Sequence, residues 1–221
     1  MNFAGVQSVT IPEGDVKSIA IGGVTVWQKP NPLPYDALVE YVESTGAQYV
    51  DTGVLANQTA RVEITLQAIR IAKDRGVFGY YYNGTNSLYL YMGNANPAVW
   101  QFGFGSYGNS PRACDTSVHQ FVLANYSLSI DGVVVSTLPS RNFSLQKPLT
   151  LFKTQYGDGS YYSATPIKLF SAKIYTSGTL VRDFQPVRVG TEGALYDRVT
   201  DTIFRSATST PLVAGPDKNG G

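Results

Sequence analysis

Cys114 and His119 stand five positions apart, and a thiol and an imidazole that close in sequence could serve as nucleophile and base of a cysteine hydrolase. They are the one Cys and the one His in 221 residues. That count excludes an internal disulfide, a zinc finger and a multi-histidine metal centre. The pattern favours a plainer assignment, a buried thiol and a strand-edge histidine. Glu40 and Glu43 are the nearest candidates for the carboxylate pair of a glycoside hydrolase. Their odd spacing on a strand sends the two side chains to opposite faces, which suits solvated or edge carboxylates better. Asp115, Asp131 and Asp158 are isolated in sequence. Gly103-Phe104-Gly105 and Gly157-Asp158-Gly159 lack the strand-to-helix setting that makes a phosphate loop or a nucleophile elbow. The expectation is a protein without catalytic residues, metal or cofactor.

Non-covalent binding has better candidates. One stretch runs Tyr80-Tyr81-Tyr82-Asn83-Gly84-Thr85-Asn86-Ser87 and continues through Tyr89, Tyr91, Asn94, Asn96 and Trp100; the other is Tyr156-Gly157-Asp158-Gly159-Ser160-Tyr161-Tyr162. Flat aromatic faces beside Asn, Ser and Gly have the composition of adaptable binding surfaces. Rings can pack on sugar faces while amides and a carboxylate bond hydroxyls. The predicted ligand-binding residues are Tyr82, Asn83, Asn86, Trp100, Tyr156, Asp158, Tyr161 and Tyr162. Alternate members of Tyr80 to Tyr82 must face opposite sides of a strand, so part of the first stretch belongs to the core or to cross-strand pairs.

The elements that would position these groups are short strands. Charged residues are only 15% of the chain, aromatic residues 12%, with 22 Gly and 12 Pro, a balance of turns and β formers rather than helix. Arg61 to Ala68 alternates apolar and polar residues, the mark of a strand with one wet face. Similar runs span Gly76 to Tyr82, Ser87 to Met92, Val99 to Phe104, Gln120 to Leu123, Tyr126 to Ile130, Val133 to Thr137, Leu149 to Lys153, Ile167 to Tyr175 and Thr179 to Pro186. Strands at this spacing predict an antiparallel sandwich or barrel. Asn83-Gly84 and Asp131-Gly132 are expected to form type I′ hairpin turns. Asp36 to Ser44 is the one helix candidate, and its β-branched residues favour strand. The net charge of +1 argues against nucleic acid as a partner, and no apolar run is long enough to span a membrane as a helix.

Residues 1–28 form a separate pattern. Val9 and Ile11, then Val16, Ile19 and Ile21, then Val24, Val26 and Trp27 make short apolar runs broken by turn residues. Lys29-Pro30-Asn31-Pro32-Leu33-Pro34 follows as a stiff linker over 29–34. The large domain is expected over 35–217, with a frayed tail that covers 218–221 and reaches back towards Gly215.

Three motifs carry a family resemblance. Tyr126-Ser-Leu-Ser-Ile-Asp-Gly-Val133 resembles the hairpin strand of concanavalin A-like, laminin-G-like domains. Ile167-Lys-Leu-Phe-Ser-Ala-Lys-Ile-Tyr175 resembles the strand that recrosses their sandwich near the C-terminus. Leu38-Val-Glu-Tyr-Val-Glu-Ser-Thr-Gly-Ala-Gln-Tyr-Val-Asp-Thr-Gly53, with Leu180 to Arg188 and Ala194 to Val199, is similar to the version found in structural proteins of bacteriophages and gut prophages. The resemblance implies an all-β, concanavalin A-like antiparallel β-sandwich behind a small N-terminal β anchor. It further implies a non-enzymatic virion protein, a fibre or decoration protein on the particle surface, expected to display a lectin-like domain towards glycans. The alternatives are a purely structural capsid or tail protein and a glycan hydrolase. Partners implied are other virion proteins, reached through Val9, Ile11, Val16, Ile19, Ile21, Val24, Val26 and Trp27, and further copies of the chain, with a trimer expected. Met1 to Pro12 has no secretory signal pattern, which agrees with release by host lysis.

Overall fold

The computed structural model describes residues 18–21, 24–28, 33–161 and 164–218. The chain divides into two units, Met1–Leu33 and Pro34–Gly221. In the first, strands β1 (Ser18–Ile21) and β2 (Val24–Gln28) pair antiparallel, with a register shift between Ile19 and Ala20. Ile19, Ile21, Val24, Val26 and Trp27 belong to these two strands. Val9, Ile11, Val16 and linker residues 29–32 lie outside the described residues.

The second unit carries β3 (Ala37–Leu38), β4 (Val42–Ser44), β5 (Val50–Asp51), β6 (Arg61–Ala68), β7 (Arg75–Asn83), β8 (Asn86–Met92), β9 (Val99–Phe104), β10 (Tyr107–Ala113), β11 (Val118–Ala124), β12 (Ser127–Ile130), β13 (Val133–Thr137), β14 (Thr150–Leu151), β15 (Gln155–Tyr156), β16 (Ile167–Thr176), β17 (Thr179–Val189), β18 (Glu192–Asp197), β19 (Thr202–Phe204) and β20 (Val213–Ala214). They form two sheets. The smaller runs β10-β9-β8-β7-β14-β5, with β15 added to β7. The larger runs β13-β12-β11-β6-β16-β17-β18-β19, with β3 on β17 and β4 joining β16 to β20. Strand pairing is antiparallel except where β15 lies parallel to β7. This is the expected all-β antiparallel sandwich.

Alternation explains the core. In β6, Val62, Ile64, Leu66 and Ala68 turn inward while Arg61, Glu63, Thr65 and Gln67 do not. Opposite them the smaller sheet supplies Phe78, Tyr80, Leu88, Leu90, Met92, Trp100, Phe102 and Phe104. Glycines in this sheet serve as seats for neighbouring side chains. A Cβ on Gly105 would stand 2.7 Å from the Phe143 ring, and one on Gly108 2.6 Å from Leu138. The Gly-spaced run Phe102 to Gly108 therefore lets bulky groups approach the backbone closely.

Several local expectations are revised. Asp131 and Gly132 have φ of 52° and 81°, as a type I′ turn requires. Asn83-Gly84 does not form that turn. Asn83 pairs with Asn86 across the hairpin after a bulge in β7, and Gly84-Thr85 makes the loop. The Asn83 side chain accepts from Thr85 N at 2.9 Å and Thr85 Oγ1 at 2.8 Å, so it closes the turn from its first position. Asp36 to Ser44 forms no helix; it carries the short strands β3 and β4, with a bend at Glu40 between them. Strand β10 was not legible: Tyr-Gly-Asn-Ser-Pro-Arg-Ala has no apolar alternation, and pairing with β9 decides its state. The tail does not fray at Gly215. Gly215 N bonds Tyr41 O at 2.9 Å, Lys218 N bonds Leu38 O at 2.8 Å, and Arg188 holds Asp217 with bonds of 3.1 and 2.8 Å. Residues 219–221 lie outside the described residues.

Candidate functional site

His119 is the second residue of β11, buried, with both ring nitrogens committed. Nδ1 lies 2.7 Å from Asp131 Oδ2 and Nε2 2.9 Å from Asp115 Oδ1, while Arg112 reaches the same Asp131 oxygen at 3.0 Å. Both ring nitrogens are engaged by carboxylate oxygens, and neither is left aimed at a thiol proton. Burial, then the Asp115 charge, pushes the Cys114 thiol up to about 12. The pair is thus a structural clip and an inert thiol, and the clip joins β10 of one sheet to β11 and the β12–β13 turn of the other.

Burial alone would raise the two clip carboxyls. For Asp115 this is outweighed by hydrogen bonds from Ser117 and His119, and for Asp131 by the Gln120 N–H, His119 and Arg112, so both stay below the usual carboxylate range. A depressed folded-state value makes each carboxylate stabilising above the unfolded value of about 3.9, with that contribution lost as pH falls through the folded value. Asp131→Asn is therefore expected to melt below the parent at pH 7, with the gap closing as the pH is lowered below about 4. Thermal melts along that series check it; an equal gap at both ends would rule the account out.

Glu40 is exposed in the bend before β4, and Glu43 is half-buried within β4, where its backbone pairs with Lys168. Among the described residues no cluster of three His, Cys, Asp or Glu side chains is placed to hold a metal.

The two aromatic stretches meet. Parallel pairing of β15 with β7 sets Tyr156 beside Tyr81, and on the side of the smaller sheet away from the core four rings follow one another edge to face. Tyr156 to Tyr81 is 5.8 Å, Tyr81 to Tyr89 5.7 Å and Tyr89 to Tyr91 6.4 Å between centroids. Tyr89 lies over Gly103, whose Cβ would come within 2.3 Å of the ring, and Tyr91 Oη donates to Asp74 at 3.0 Å. Tyr89 and Tyr91 are each only 5% exposed. They form a rigid layer rather than a landing surface.

The accessible rings lie at the hairpin end of this layer. Tyr82 is 48% exposed and rests on Gly157, where a Cβ would stand 2.1 Å from the ring; Tyr107 is 60% exposed and rests on Gly84, 3.7 Å from the equivalent point. Each ring thus has one side on glycine backbone and the other towards solvent. Around them stand Asn83, Thr85 and the loop 157–160. Asp158 Oδ1 accepts from Ser160 N at 2.8 Å and Ser160 Oγ at 2.6 Å, bonds that hold its carboxyl below the usual range. Beneath the hairpin, the buried Asn86 Oδ1 and Ser87 Oγ have no hydrogen-bond partner among the described residues, acceptor capacity that a water or a ligand hydroxyl can meet.

The predicted site residues divide accordingly. Tyr82, Asn83, Asn86, Tyr156 and Asp158 gather at this tip. Tyr161 sits beside it against Tyr49, ring centroids 4.5 Å apart, and its hydroxyl is raised above the usual tyrosine range by burial and by Tyr49. Lys153 lies 5.8 and 5.9 Å from those two rings and donates to Ala47 O at 2.7 Å, so this pair braces the loop. Trp100 does not belong to the tip. It is fully buried, its ring 4.7 Å from Phe121, because even positions of β9 face the core. Tyr162 lies outside the described residues. Sequence reasoning missed Tyr107, and the glycine alternation of Gly103, Gly105 and Gly108 around it was the available signal.

No family model and no curated protein sequence matches the chain. Among solved structures it is similar to a proposed carbohydrate-binding protein from Bacteroides ovatus, with a TM-score of 0.56 at 10% identity over 81% of this chain. The match spans 61% of that protein's length. At such identity the likeness concerns the fold alone, an antiparallel two-sheet β-sandwich.

Proposed function

We propose that the chain is a non-enzymatic glycan-binding module whose contact surface is the tip around Tyr82 and Tyr107. One observation carries this reading: two exposed tyrosine rings, 48% and 60% accessible, are each fixed on a glycine seat beside amide, hydroxyl and carboxylate groups. A rigid aromatic plane loses little entropy on binding and presents an apolar face with a polar edge, which suits the C–H face and hydroxyl rim of a sugar. The carbohydrate-binding description of the structural neighbour supports the same reading. Display of the module on a phage particle, with residues 1–28 as its attachment and with other virion proteins and further copies as partners, is the larger setting we propose. It is supported by the sequence resemblance.

Binding of the full chain to an array of bacterial and mucin glycans is the direct test. Tyr82→Ala combined with Tyr107→Ala is expected to lower affinity at least about tenfold, a loss of about 1.4 kcal/mol, while the melting curve stays close to the parent. Gly157→Ala should weaken binding in the same direction, since the new methyl group displaces the Tyr82 ring. Silence across the array, or a double variant that binds like the parent, sinks the reading.

A further inference from the structure

The two exposed rings do not form a single platform. Tyr82 leaves β7 and leans away from β8 to rest on Gly157, which follows β15; Tyr107 opens β10 and leans back onto Gly84. The Gly84-Thr85 turn therefore stands between them. Strands β9 and β8 lie between β10 and β7 in the sheet, and the two rings rest on different glycines. Two rings on separate seats with a turn between them present two faces, which suit successive units of a chain of sugars. The charges at this end are internally compensated. Asp158 is ionised and bonded to Ser160, and the Lys147 amine, 3.4 Å from where a Cβ of Gly159 would stand, is the cation whose charge acts on it. The remaining groups between the rings, Asn83 and Thr85, are neutral. A carboxylate- or sulfate-bearing glycan would find one amine here, Lys147, with the Asp158 carboxylate close enough to repel it.

We infer that the tip reads an internal stretch of an extended neutral polysaccharide, with Tyr82 and Tyr107 engaging different sugar units of one chain. This rests on the glycan-binding reading and specifies its ligand. Two weak contacts joined by a continuous ligand act as one strong site, because the second forms at high effective concentration. Neutral oligosaccharides of one, two, four and six units, built on glucose, mannose, galactose or N-acetylglucosamine, are titrated into the full chain by calorimetry, beside uronate and sialic acid chains of matched length.

The expected result is no measurable heat with single sugars and an affinity that rises at least about tenfold between two and six units for one neutral series. Tyr82→Ala and Tyr107→Ala should each flatten that rise while leaving the melting temperature near the parent value. A single sugar that binds as tightly as its hexamer overturns the inference and leaves the glycan-binding reading standing, and so does binding confined to acidic chains. A rise that survives both substitutions also overturns it. Absence of binding at every length and charge overturns both.

Discussion

Gly79→Ala is expected to be the most damaging single substitution in the sandwich. Gly79 has φ of +110°, a conformation that an L side chain scarcely adopts, and a Cβ there would stand 2.2 Å from the carbonyl oxygen of Leu88 and 2.5 Å from Cα of Tyr89. Neither atom can rotate away, because both belong to the β8 backbone that pairs with β7. Strain in a sparsely populated region costs about 1 to 3 kcal/mol and forced overpacking about 1 to 3 more, so the sum is roughly 2 to 6 kcal/mol. Against a stability of about 5 to 15 kcal/mol, that leaves a marginal domain. A melting temperature lowered by roughly 4 to 24 °C, or recovery only as aggregate, is the expected readout. A soluble variant that melts with the parent would show that β7 and β8 do not approach as closely as described. The same change also bears on binding, since β7 carries Tyr82 next to its last residue and β8 begins at the hairpin beneath Tyr107.

Trp100→Ala is the second large effect, and it separates core from site. The side chain is fully buried between the sheets against Phe121. Its removal costs about 3 to 5 kcal/mol, from lost transfer energy and from the cavity left behind. The melting temperature should fall by roughly 6 to 20 °C. Glycan affinity of the protein that remains folded, measured well below that temperature, should stay within about twofold of the parent, because no atom of Trp100 reaches the tip. Tyr82→Ala and Tyr107→Ala should show the reverse pattern, weak binding at near-parental stability. A Trp100 variant that keeps its melting temperature and loses binding would return the residue to the surface that its neighbours in sequence suggested.

The strands of the larger sheet were legible because one of their faces meets water. Arg61 to Ala68 alternates cleanly, and Ile167 to Tyr175 nearly so. The smaller sheet was harder to read. Its β8 is buried on both sides: Leu88, Leu90 and Met92 face the core, while Tyr89 and Tyr91 are covered on the other side by rings and by the Gly103 seat. Alternation then vanishes from the sequence although the strand is regular. Tyrosines in one run consequently took different roles. Tyr80 is core, Tyr81 belongs to the ring layer and Tyr82 reaches solvent. Period-two reasoning required such a division, but a bulge in β7 decided which tyrosine emerged.

Composition, turn chemistry and alternation by themselves determined an antiparallel all-β domain, sandwich or barrel, the Asp131-Gly132 hairpin, and the lack of a second Cys or His for metal or disulfide chemistry. These follow from local preferences and counts, which need no knowledge of distant residues; the motif resemblance narrowed the fold to the sandwich. The candidate site was a tertiary decision. Only the pairing of β15 with β7, across more than 70 residues of chain, brings Tyr156, Gly157 and Asp158 to Tyr82. Glycines at 84 and 157 become seats only when a ring from another strand settles on them. His119 illustrates the same rule. Its nearness to Cys114 in sequence suggested a reaction, whereas the fold gave its two nitrogens to Asp115 and Asp131. Sequence spacing limits which groups can meet; the orientation of a side chain and the carboxylates around it are set by strands that pack from elsewhere in the chain.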